Sequence, residues 1–178
     1  LRKLILGLLT GGLVAGLAAC TPWWRHKTPT SPAVTAPLRD HGVMISSVVA
    51  FDPARFSGTW YVAQSGIPGC AGARQVWTRA GNGWNVTGTD CGGSQEAALS
   101  DHLALTGPGG RFMPSRSFGA EKIWVLWADE GYRVAVLGTP SGKFGMILTR
   151  TMPPRGDLVT AARRVLDFNG YDMRRIGR

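Results

Sequence analysis

The chain has 178 residues, 44% of them hydrophobic, which gives room for one domain with a sizeable core and not for two. Twenty Lys and Arg against 11 Asp and Glu give a formal net charge of +9. Most of these cations are arginines scattered along the chain rather than gathered in a stripe, which argues against a nucleic-acid partner.

Arg2 and Lys3 precede an uncharged apolar run from Leu4 to Ala19, the layout of a secretory signal. The run is shorter than the roughly 20 residues a spanning helix needs, and it carries Gly7, Gly11, Gly12 and Gly16. Leu17-Ala18-Ala19-Cys20 resembles the bacterial lipobox, which implies cleavage ahead of Cys20 and acyl chains on its thiol and amine. One chain holds a protein weakly, whereas several make a durable membrane anchor. Thr21 in place of Asp implies, by the same resemblance, the outer membrane with the protein facing the periplasm. Loss of residues 1–19 would leave +7 (18 basic minus 11 acidic), an excess that favours anionic surfaces.

Residues 20–42 read as the lipidated cysteine and a tether, because Pro22, Pro29 and Pro32 interspersed with Thr and Ser stay extended and bury nothing. Trp23-Trp24-Arg25-His26-Lys27 suits the headgroup level of a membrane, or is flexible and inert.

Residues 43–178 read as the domain. Eight short apolar segments recur: Gly58 to Gln64, Arg74 to Arg79, Trp84 to Thr89, Ala97 to Thr106, Arg111 to Ser115, Lys122 to Ala128, Tyr132 to Gly138 and Phe144 to Arg150. Glycine-bearing turns separate several of them, at 80–83, 107–110, 129–131 and 140–142. Consecutive hairpins predict an all-β, eight-stranded antiparallel up-and-down barrel. Leu158, Ala161, Ala162, Val165 and Leu166 then recur at helical spacing, with Asp157 as the expected N-cap and Gly170 as the stop, so one C-terminal helix should pack outside the barrel. Cys70 and Cys91, an even pair in an oxidising compartment, are expected to form a disulfide that stabilises the fold by roughly 3 kcal/mol.

Phe56-Ser57-Gly58-Thr59-Trp60-Tyr61 resembles the Gly-x-Trp signature on the first strand of lipocalins, and Met146 to Thr151 resembles the last strand with its closing arginine, Arg150. Residues 129–138, a turn followed by a strand opening Tyr132-Arg133, are similar to the pattern of bacterial outer-membrane lipocalins. The resemblance covers 51–172 and is weak from 71 to 118. It implies that Gly58, Trp60, Tyr132 and Arg150 are structural, with Trp60 on the barrel floor and Arg150 stacked over its indole. It also implies a small apolar or amphiphilic ligand, such as a fatty acid or lysophospholipid. Strand parity from Trp60 puts Val62 and Gln64 in the lumen, and the same parity favours Trp84, Val86, Leu103, Leu105, Tyr132, Val134 and Val136. The facing of Trp77, Trp124 and Trp127 stays open.

Catalysis finds little material. His26 lies in the tether and His41 ahead of the barrel, while Asp101-His102 are strand neighbours that point to opposite faces. No Gly-x-Ser-x-Gly, His-Glu-x-x-His or Cys-x-x-Cys occurs, so no enzyme, metal or cofactor is expected. Two rivals to a lipid carrier stay open: an avidin-like binder, which Gly58-Thr59-Trp60-Tyr61 also resembles, and a structural envelope lipoprotein with a filled barrel.

Overall fold

The computed structural model describes residues 36–177. Its chain order is a short helix α1 (Pro53–Phe56), strands β1 (Gly58–Ser65), β2 (Arg74–Ala80), β3 (Gly83–Asp90), β4 (Ala97–Gly107), β5 (Arg111–Pro114), β6 (Ile123–Ala128), β7 (Val134–Gly138) and β8 (Gly145–Thr149), then helix α2 (Gly156–Phe168). Each strand pairs antiparallel with its neighbour in sequence and β8 pairs with β1, closing the barrel in the expected order. All eight expected segments are strands, with ends shifted by two residues at most.

Phase matters more than boundaries here. In β1 the register slips between Val62 and Gln64, a bulge that breaks alternation. Trp60 and Val62 therefore point into the lumen, Ala63 packs on the outside, and Gln64 accepts a 2.6 Å hydrogen bond from Arg163 of α2. A second slip, between Val125 and Trp127 in β6, turns Trp124, Leu126 and Trp127 outward while Ile123 and Val125 stay inside. Trp77 faces the lumen.

The barrel has two cores. One fills the lumen; the other lies between β6, β7, β8 and α2 and gathers Leu126, Val134, Val136, Ile147, Ala162, Leu166 and Tyr171. Every residue of β7 and β8 is buried, since their sheet is covered on both faces. Helix α2 starts after Arg155, and Asp157 lies in its first turn rather than at the N-cap, pairing instead with Arg155 at 2.7 Å. Gly170, at φ +83°, turns the chain after the helix as expected.

Packing upstream begins before Val43. Leu38 and Arg39 are buried, and Leu38 N donates to Gly142 O while Asp172 N donates to Leu38 O, so part of the expected tether belongs to the folded unit. Further on, Val48 N donates to Val125 O, next to the two rungs that pair β5 with β6, while Val125 N donates to Gly110 O. Asp52 caps α1, with Oδ1 accepting from Ala54 N and Arg55 N and Pro53 opening the turn.

Candidate ligand-binding lumen

The floor of the barrel is built on Trp60. Its indole N–H donates to Phe56 O at 2.7 Å, and the Arg150 guanidinium lies 3.6 Å from its ring centroid. Arg150 also donates to five main-chain carbonyls, those of Arg55, Phe56, Ser57, Thr59 and Tyr132. These bonds and the stacked indole hold α1, β1 and the turn before β7 together at this end of the barrel. Gly58, at φ +107°, lies beside this guanidinium. Tyr132 adds to the same end: its hydroxyl accepts from Asp52 N at 2.7 Å, and Arg55 stacks over its ring.

Above the floor stands a column of rings. Phe56 packs on Trp60 at 5.2 Å and edge-on to Trp77 at 5.1 Å, while Trp84 and Phe112 meet at 4.9 Å. Trp77 then reaches Phe118 at 6.5 Å, and Phe118 reaches Phe144 at 5.8 Å, so aromatic contact runs from floor to mouth. All seven are at most 1% exposed. The polar edges among them are satisfied: Trp84 Nε1 donates to Ser57 Oγ, and Trp77 Nε1 to Gln75 Oε1, whose amide in turn donates to Thr89 O.

Of the residues expected to line a pocket, Val62, Trp84, Val86 and Leu103 face the lumen. Gln64, Val134 and Val136 do not. Gln64 is turned out by the bulge. Val134 and Val136 pack against α2, because β7 begins at Val134 and Tyr132, at φ +53°, sits in the hairpin turn where strand parity does not apply. Ala135 and Leu137 take the inward places. Sequence reasoning also missed Phe118 and Phe144, which lie in connections; a bulky apolar residue set in Ser117-Phe118-Gly119 was the available signal.

The mouth is formed by the connections at 66–73, 91–96, 115–122 and 139–144. Cys70 and Cys91 are disulfide-bonded, Cα atoms 6.0 Å apart, tying the first two together. Asp101 points into this end and accepts from Arg116 N, Ser117 N and Ser117 Oγ through one carboxylate oxygen and from His102 N through the other. Burial works against its charge, but these donors hold its pKa down at about 2. His102 points the other way, to Asn85, so the two form no dyad. Among the described residues no three His, Cys, Asp or Glu side chains gather as a metal site.

Two open clefts lie outside the barrel. One of about 770 Å³ runs along the C-terminal segment past Leu38, Arg163 and Tyr171; one of about 570 Å³ lies over Asn85, Ser100 and His102. The second also touches Val86 and Asp101, while the side chains that face the lumen are buried.

A closed eight-stranded up-and-down barrel, a floor Trp under an Arg of the last strand and one C-terminal helix packed outside define a lipocalin-type fold. No protein-family model and no curated protein sequence matches the chain. Solved structures do: lipocalin 12 from rat epididymis (14% identity, 79% of this chain and 90% of that one, TM-score 0.55), lobster apocrustacyanin A1 (17%, 70% and 77%, 0.53) and apocrustacyanin C1 (18%, 68% and 75%, 0.51). At these identities the likeness is one of fold.

Proposed function

We propose that the protein is a non-enzymatic carrier of the lipocalin type that takes a compact apolar or amphiphilic molecule into the mouth of its barrel. The observation that carries this reading is the origin of the side chains that fill the lumen. Its lower part is closed by rings carried on strands and on α1, Phe56, Trp60, Trp77, Trp84 and Phe112, whereas the mouth is closed by Phe118 and Phe144 from connecting segments, of which the one bearing Phe118 can move without breaking the sheet. The packed column leaves no channel for a full acyl chain, so a fatty acid or lysophospholipid would insert only in part. The sequence of residues 1–21, outside the described region, supports a bacterial outer-membrane lipoprotein held through acylated Cys20 and facing the periplasm.

A second reading, a sealed barrel acting as an envelope scaffold, is favoured by the near-zero exposure of the whole lumen. Native mass spectrometry of the full chain carrying Cys20→Ser, followed by organic extraction, separates the two. A stoichiometric apolar adduct is the expected result. An empty barrel that also binds no apolar probe would establish the scaffold. The anchor has its own test: the unaltered chain should incorporate labelled palmitate and fractionate with membranes, and Cys20→Ser should do neither.

A further inference from the structure

The two phenylalanines that close the mouth are held in different ways. The segment bearing Phe144 is fastened from two sides, by Tyr171 and by the stretch Leu38-Arg39. Thr139 N donates to Tyr171 Oη at 2.9 Å, and that hydroxyl lies 3.1 Å from Phe144 O. Leu38 N donates to Gly142 O at 2.7 Å, and Arg39 Nη1 to Pro140 O at 2.9 Å.

The segment bearing Phe118 is held otherwise. Phe118 and Ala120 both have φ +52°, a left-handed conformation that side-chain-bearing residues seldom adopt, on either side of Gly119 at φ +65°. Gly119 and Ala120 are exposed. The Asp101 bonds stop at Arg116 and Ser117; beyond them the amide of Phe118 is held by one bond, to Asp90 Oδ2 at 2.8 Å. Rotation just past Ser117 would therefore withdraw the phenyl ring, relax two strained residues and break that bond together with the 2.8 Å bond from Ala120 N to Ser117 O; the Asp101 anchor on one side, the 2.6 Å ion pair of Glu121 with Lys143 on the other and the barrel itself would stay intact.

We infer that Phe118 is a displaceable stopper and that its place is a binding site for an uncharged, ring-sized apolar group, an inference that rests on the lumen-binding reading above. The walls of the vacated place are flat. Trp77 and Phe144 present their rings, and the Gly92 backbone lies against Phe118 so closely that a Cβ there would fall 2.8 Å from the ring. The carboxylates nearby, Asp90 and Asp101, already accept hydrogen bonds and would repel an anion. A long chain would have to dislodge Trp77 and Phe112 from their strands.

The test uses the full chain with Cys20→Ser, naphthalene as ring probe and cis-parinaric acid as chain probe, read by tryptophan fluorescence in a stopped-flow instrument. Naphthalene should bind with a rate that levels off at high concentration, limited by withdrawal of Phe118. Phe118→Ala should raise the binding rate and the affinity at least tenfold. Asp90→Asn should raise the limiting rate several-fold, and Phe144→Ala should leave it unchanged. If Phe118→Ala does not fold, Phe118→Leu and Asp90→Asn carry the same rate comparison.

Naphthalene binding that ignores the substitutions at 118 and 90 would overturn the stopper while leaving lumen binding in place. Tight cis-parinaric acid binding without naphthalene binding would overturn the ring-sized site. Failure of both probes with every variant would remove the lumen-binding reading and this inference with it.

Discussion

Arg150 shows how much one side chain can organise when its partners are main-chain oxygens. Five carbonyls accept from its guanidinium and the Trp60 indole lies beneath it, so it joins α1, β1 and the β7 hairpin at one point. Burial lowers its pKa to about 10, which leaves it charged at neutral pH. Arg150→Ala should cost about 3 kcal/mol in a urea titration, because the indole loses its cation and several carbonyls lose a donor. Arg150→Lys should recover less than half, since an ammonium keeps the charge but not the fork. Asp101 makes a prediction in pH. Its folded pKa of about 2 lies below the unfolded carboxylate value near ~4, so its contribution is complete above that value and is lost as the pH falls through about 2. Hydrogen-exchange protection of the Arg116 and Ser117 amides should decline over that window, and Asp101→Asn should show the reduced protection already at neutral pH.

At the scale of elements, the C-terminal segment fits the barrel through absences. Gly138 and Gly145, paired across β7 and β8, form a seat for the Tyr171 ring; a Cβ on Gly138 would lie 2.4 Å from its hydroxyl and one on Gly145 2.6 Å from its Cε1. Burial pushes the Tyr171 pKa up to about 12. Gly145→Ala should therefore expel the ring and lower stability by about 3 kcal/mol, whereas Tyr171→Phe, which leaves the buried Thr139 amide unpaired, should cost about 1–3 kcal/mol. Thermal unfolding of the two variants checks the order. The strands themselves were legible in the sequence because alternation and glycine turns are local signals. Inward and outward facing was legible only until the first irregularity: parity from Trp60 holds at Val62 and fails at Gln64, where one extra residue enters β1, and parity from Tyr132 fails because that residue precedes its strand.

For the molecule as a whole, lumen fullness was the feature least legible in sequence. It depends on Phe118 and Phe144 folding back from connections and on Phe56 arriving from α1, none of which strand periodicity reports. The outer core was legible in outline, since the helical spacing after residue 157 announced an apolar face needing a partner. That face also fixes what the barrel requires. Trp124, Leu126, Trp127, Val134, Val136 and Ile147 line one side of the β6–β8 sheet, and α2 with Tyr171 covers them. A chain ending at Arg150 would keep every strand and the closing β1–β8 pair, yet would expose this contiguous apolar surface, which isolated domains rarely tolerate. It should bind anilinonaphthalene sulfonate strongly and leave the monomer peak in size-exclusion chromatography, while the full chain does neither. A truncated chain that stayed monomeric and dye-free would mean that the lumen core alone sustains the barrel and that α2 is an addition to it.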